Sequence, residues 1–247
     1  MMVIYILWLR QVKRYFRSKA RMIGSIGQPL LFLVAMGFGF GPIYQQARGE
    51  NYLQFLAPGI IAMSILFTAM FSGMEVIWDR QFGFLKETLV APVSRFSIML
   101  GRTLGGATTA ILQGVIVFIV ALLVGFRPDF VYLPVAFIFM FLIAVLFTAF
   151  GTAIASLMTD AHAFPLIMNF IIMPVFFLSG ALFPVDGIPV GIKSIILLNP
   201  LYYGVAGIRS ALTFGMHWGL ISDMGILALV CFFMLSLGSY LFSKVQV

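Results

Sequence analysis

The side chains best able to do chemistry in this chain are few: two histidines, His162 and His217, one cysteine, Cys231, and eight carboxylates. Histidine with carboxylate could hold a metal or move protons, and cysteine with histidine could make a nucleophile. The spacing argues against both. His162 stands in a short loop with Asp160, His217 stands beside Trp218, and the topology set out below puts the two at opposite faces of a membrane. Cys231 lies inside the last apolar block, with no second cysteine for a disulfide. A phosphate-binding loop, G-x-x-x-x-G-K-[ST], requires Gly before Lys; the five lysines here follow Val12, Ser18, Leu85, Ile192 and Ser243. The expectation is therefore no catalytic residue, no metal and no nucleotide site in this chain, so that energised work would draw on another polypeptide.

Two polar stretches remain that could act by contact. The first is Asp79 to Arg95, DRQFGFLKETLVAPVSR, within a loop of residues 79–97. Phe82, Leu85 and Leu89 fall at i, i+3 and i+7 of one amphipathic helix, which leaves Arg80, Lys86 and Glu87 to water. Ala91 precedes Pro92 and is biased away from helical angles, so the helix should end there. Ser94 or Ser97 can cap the apolar helix that follows, and Arg95 stands between them. The second stretch is residues 1–21. Ile4, Leu7, Trp8, Val12, Tyr15 and Phe16 share one arc, and Arg10, Lys13, Arg14, Arg17 and Arg21 gather on the other. That pattern predicts a basic helix lying on membrane lipid. It is not a signal peptide, in which the basic residues come first.

Both stretches must be positioned by membrane helices. Hydrophobic residues make up 62% of the 247 residues and charged residues 9%, against about 45–50% and about 25% in soluble domains. The fold class is an all-α integral membrane protein. Six gaps between charges, from Arg21, Glu50, Arg102, Asp129, Asp160 and Asp223 onward, hold 20 to 30 residues each. Each is long enough for a span, which needs about 20 apolar residues. Six spans put both termini on one side. That side would carry eleven Lys and Arg; the other carries four, namely Arg48, Arg127, Lys193 and Arg209. The positive-inside rule then makes the first side cytoplasmic. The asymmetry reads as a topology signal, and no nucleic-acid partner is expected.

The outer stretch of residues 184–222 differs from the short hairpins. Pro184, Pro189 and Pro200 break it, and Ile188, Ile192, Ile195 and Ile196 make an apolar face between the breaks. A re-entrant pair of short helices is expected, with an ordinary amphipathic loop as the alternative. The glycines of GFGFG (Gly37, Gly39, Gly41) and the pair Gly101 and Gly105 are expected at close helix crossings. No ionisable residue is expected in mid-span, which weighs against a proton- or ion-coupled carrier.

Four stretches carry a resemblance in order along the chain: NYLQFLAPGIIAM (Asn51 to Met63), DRQFGFLKETLVAPVSR, FLSGALFPVDGIP (Phe177 to Pro189) and NPLYYGVAGIR (Asn199 to Arg209). Together they resemble the ABC-2 type permeases, closest to the branch with daunorubicin-resistance-type drug exporters and nodulation lipo-oligosaccharide exporters. The resemblance implies one transmembrane domain over residues 1–247, working as a dimer with two separate ATP-binding subunits that hold ATP and Mg. It makes residues 79–97 a coupling helix seated in the ATPase, through Arg80, Phe82, Leu85, Lys86, Glu87, Leu89, Pro92 and Arg95. Trp8, Arg10, Lys13, Arg14 and Arg17 would flank that joint. The apolar, Met-rich spans suit outward movement of a hydrophobic or amphipathic substrate such as a drug, lipid or lipid-linked glycan, across a prokaryotic plasma membrane. An ion-coupled carrier or channel, or a scaffold that anchors a cytoplasmic partner, remains as an alternative.

Overall fold

The computed structural model describes residues 2–49, 51–90, 92–214 and 218–243. Glu50, Ala91, His217 and Lys244, and the side chains of Arg21, Arg48, Lys86, Leu89 and Trp218, lie outside the described residues. Every regular element among the described residues is helical. In order they are α1 (Met2–Arg17), α2 (Lys19–Gly39), α3 (Gly41–Arg48), α4 (Tyr52–Ser72), α5 (Met74–Gln81) and α6 (Phe84–Val90). There follow α7 (Arg95–Val124), α8 (Leu133–Leu157), α9 (Ala163–Phe177), α10 (Val190–Leu198), α11 (Pro200–Arg209) with a widened π turn over Ser210–Phe214, and α12 (Trp218–Ser243).

Five helical stretches are long and apolar enough to cross a membrane: most of α2, α4 continued by α5, α7, α8 and α12. The expected fifth span is shorter than the charge gap suggested. Only Ala163–Phe177, 15 residues, is helical in the gap from Asp160 to Asp186, and the rest runs as turns. Beyond it α10 and α11 meet at 87°, as a re-entrant pair would. Asn199 fixes that bend. Its Oδ1 accepts from Leu201 N at 3.0 Å, and its Nδ2 donates to the carbonyls of Val175 and Leu178 at the end of α9. Isoleucine burial differs from the expected apolar face: Ile196 is buried, while Ile192 and Ile195 are exposed.

α4 forms the heart of the bundle, buried almost continuously from Leu56 to Leu66 against α7, α8 and α11. Lipid offers no hydrophobic drive between helices, so close backbone packing must do the holding. Gly73 and Gly151 supply it where α4 gives way to α5. A Cβ on Gly73 would collide with the Gly151 carbonyl, and one on Gly151 would collide with the Met70 carbonyl. Of the glycines singled out in the sequence, Gly101 and Gly105 do sit at a crossing, against α1. The GFGFG run does not: Gly39 and Gly41 face open space, and Gly37 meets only the tip of Leu53.

The bundle has two distinct ends. Residues 74–90 and 92–97 and the α8–α9 loop gather at one, with α1 beside them; Arg80 donates to the carbonyls of Ser156 and Met158 there. Residues 52–55, 125–132 and 180–212 gather at the other, where Tyr52 OH donates to Leu182 O and Asp129 N donates to Leu212 O. α12 returns from the second end to the first, bringing Gly238 beside Met99. The ends of α1 and α12 nearest the termini therefore lie at one end of the molecule.

Candidate functional site

The charged and aromatic residues of the first end form one continuous construction, built from α1, α5, α6 and the start of α7. α1 runs along α7 because two glycines admit it: Cβ atoms at Gly101 and Gly105 would press on Ile4 and Gln11. Trp8 Nε1 donates to Thr108 Oγ1 at 2.9 Å, and Tyr15 OH donates to Gln113 Oε1 at 3.0 Å. Burial pushes the Tyr15 phenol up, so it stays a proton donor. Leu7, Gln11 and Tyr15 are the buried positions of α1, at the i, i+4, i+8 spacing of one helical face.

The basic arc of α1 is divided, which corrects the reading of one solvated face. Lys13 and Arg17 are exposed, but Arg10 and Arg14 turn inward to the carboxylates of α5. Asp79, only 1% exposed, is the centre. It hydrogen-bonds Arg10, takes Arg102 Nη2 at 2.7 Å and has Arg14 Nη2 at 3.6 Å. Arg14 Nη1 also stands 3.4 Å from Glu75. Three arginines thus close on two carboxylates and tie α1, α5 and α7 together. The sequence held a signal for this: Arg10 with Arg14, and Glu75 with Asp79, are both i, i+4 pairs, one step apart on a helical face. Arg102 bounds one of the six charge gaps, yet it is 1% exposed, inside α7. Asp79 pairs with Arg102, whereas Arg80 points away from it, to the α8–α9 turn.

The single helix expected over residues 79–91 is two helices. α5 ends at Gln81, Gly83 adopts φ +81°, and α6 starts at Phe84. Such a φ costs a side-chain-bearing residue energy and costs glycine none, so the chain breaks there. The break separates the predicted face. Phe82 is 73% exposed, whereas Leu85 is fully buried in the chain's own core. Arg80 belongs to α5 and is hydrogen-bonded rather than left to water. Glu87 and Pro92 are exposed, and Arg95 is partly buried at the start of α7, which Ser94 caps. Among the described residues, the large apolar side chains that face outward here are Phe82, Phe84, Val90 and Phe96. His162 is exposed, its backbone N–H bound to Asp160, with no chemistry implied. No cluster of three metal-ligating side chains occurs among the described residues.

Comparison with known proteins bears on this arrangement as a whole. The ABC-2 type transporter family profile matches residues 2–213, from α1 through the π turn. The chain is 35% identical over 211 residues to the transport permease ycf38 of Cyanophora paradoxa, covering 80% of this chain and 71% of that one. It is 30% identical over 251 residues to the ycf38 permease of Porphyra purpurea, covering 93% and 84%. With nodulation protein J of Rhizobium leguminosarum bv. viciae it shares 29% identity over 192 residues, 77% of this chain and 74% of the relative. A multi-pass helical bundle, a family match across most of its length and permeases among its relatives lead to one assignment: the chain belongs to the ABC-2 type transporter family.

Proposed function

We propose that this chain is the membrane permease of an ATP-binding cassette exporter, which moves a hydrophobic or amphipathic substrate outward on ATP hydrolysed by a separate subunit. Membership of the family implies association with an ATP-binding subunit. The observation that carries the reading is the exposed apolar apron of Phe82, Phe84, Val90 and Phe96 around α6, at the end of the bundle where basic residues concentrate. Large apolar side chains clustered on a surface mark a binding face, and here Glu87 supplies a charged rim. Leu85 holds α6 to the permease core while the apron faces the ATPase. A push on α6 then passes through α5 and the Asp79 cluster into α7 and α1.

Lys13, Arg17 and Lys19 are exposed at that end, in keeping with a cytoplasmic side and a prokaryotic plasma membrane. The outward faces of α2 and α9 are apolar, with Leu31, Phe38, Leu166 and Phe170 bare. A second copy of the chain and membrane lipid cover them in this reading. ATP and Mg belong to the partner.

The test is vesicle ATPase activity and dye efflux for the chain co-expressed with its candidate ATP-binding partner, beside the partner alone. Stimulated hydrolysis with ATP-dependent efflux is expected, and the pair Phe82→Asp, Phe84→Asp should abolish both while the chain still inserts. Partner capture and stimulation undiminished in that variant would overturn the docking face; absence of any ATPase association would overturn the exporter.

A further inference from the structure

A cleft of about 360 Å³ lies between α1, α2, α4, α5 and α7, within a single copy of the chain. α4 gives it two parallel rows, each at the i, i+4 spacing of one helical face. Met63, Phe67 and Phe71 make an apolar row about 12 Å long at the helical rise, and Ser64, Thr68 and Ser72 make a hydroxyl row beside it. α2 lines the same cleft with Ser25, Gln28 and Pro29. We propose that the cleft binds a neutral amphiphile carrying a secondary carboxamide, with the amide between Gln28 and Thr68 and the apolar body along Met63, Phe67 and Phe71.

The hydrogen-bonding state of the wall sets this chemistry. Ser64 and Ser72 donate their hydroxyl protons to carbonyls of their own helix, those of Ile61 and Ala69, and Thr109 on α7 does the same with Gly106 O. The Ser25 hydroxyl is engaged as well, by Met22 O or Gln113. Thr68 breaks the pattern: its hydroxyl has no partner among the described residues, and neither has the Gln28 amide. Thr68 is half-buried near the middle of the span Tyr52–Gln81, and Gln28 lies within the span Met22–Gly39. Polar groups at such depth are costly to leave unpaired, because hydrocarbon offers them no partner. Pro29 adds to the deficit, since it brings no N–H to the Ser25 carbonyl four residues before it.

A secondary amide answers the deficits on both helices at once. Its trans geometry sets N–H and C=O on opposite sides of one planar unit. It can therefore donate to the Gln28 Oε1 or the Ser25 carbonyl on α2 while it accepts from the Thr68 hydroxyl on α4. An ester of the same shape accepts but does not donate, and leaves the acceptors of α2 bare. Neither Gln28 nor Thr68 supplies a charge to balance an ionic head at that depth. The end of the lining where Arg14 holds Glu75 takes no part. As a statement about cargo this rests on the exporter reading; as a statement about binding it does not.

The test needs no ATPase, so its failure leaves the exporter reading untouched. Equilibrium dialysis of N-methyl-2-(1-naphthyl)acetamide is run against the chain in phosphatidylcholine nanodiscs, with empty nanodiscs subtracted and methyl 1-naphthylacetate as the ester counterpart. Relative to the lipid phase, the amide should bind at least about tenfold more tightly than the ester, the scale of a hydrogen bond to an otherwise unpaired buried group. Gln28→Leu and Thr68→Val should each reduce that preference severalfold. The comparison of the two probes needs no variant, so a variant that fails to fold does not hide the answer. Equal binding of amide and ester, or a preference unchanged in either folded variant, would overturn the proposal. A Gln28→Leu that keeps the preference and turns dimers into monomers would give Gln28 to a contact between copies instead. Adding ceramide, a lipid amide, to the nanodiscs distinguishes the source. Competition with the probe supports a lipid amide as the occupant, and its absence supports a free amphipathic amide; both leave a carboxamide in the cleft.

Discussion

Asp79 is one carboxylate among three guanidinium groups, and its burial decides how much each pairing is worth. Arg102 is buried with it, and neither Nε nor Nη1 of Arg102 has a partner among the described residues, so Asp79 is what neutralises it. Removing one member of a buried pair costs about 3–5 kcal/mol, because the other is left charged and unsolvated. Asp79→Asn should therefore lower the thermal midpoint of the detergent-purified chain sharply. The side chain of Arg10 is 30% exposed, and water can take over its charge. Arg10→Gln should cost about 1 kcal/mol or less, as partly exposed pairs do. The double change Asp79→Asn, Arg102→Met should recover much of the loss, since it leaves no buried cation behind. Similar midpoints for Asp79→Asn and Arg10→Gln would show that Asp79 is not the centre of the cluster.

The helices meet where glycine allows backbones to touch, and the location of those glycines separates structural from incidental ones. Gly151 lies against the Met70 carbonyl, a backbone atom that cannot swing aside, so Gly151→Ala should destabilise by about 1–3 kcal/mol. Gly39, at the end of α2, faces open space, and Gly39→Ala should be neutral or slightly stabilising, with no loss of folded yield after extraction. Equal yields of the two variants in size-exclusion profiles would contradict the crossing. In the sequence both glycines sit in apolar surroundings, and periodicity does not tell them apart. The apolar blocks themselves were legible because a bilayer imposes a length on them, and Ser94 and Pro200 marked real boundaries. The break at Gly83 was hidden because Phe82, Leu85 and Leu89 keep helical spacing across it; a positive φ at a glycine leaves no trace in that spacing. Leu85 was consequently assigned to the outer face when it belongs to the core. The Asp79 cluster was missed because it joins α1, α5 and α7, whose approach is a tertiary fact.

At the scale of the molecule, the position of α6 matters only if its end of the bundle faces the compartment that holds ATP. The α8–α9 loop lies at that end and α10 at the other, and His162 and Lys193 are exposed in the two places. Cys231 is the one native cysteine and is buried in α12, so a Cys231→Ala background leaves single introduced cysteines readable. In intact cells a membrane-impermeant maleimide should label Lys193→Cys and leave His162→Cys unlabelled until the cells are permeabilised. The concentration of Lys and Arg at the α6 end sets this expectation, because translocating basic loops is disfavoured. Labelling in the reverse order would put the Phe82, Phe84, Val90 and Phe96 apron outside the cell, where no ATP-driven subunit could seat on it. The energy would then have to enter by another route, and a carrier that runs on a gradient would replace the exporter.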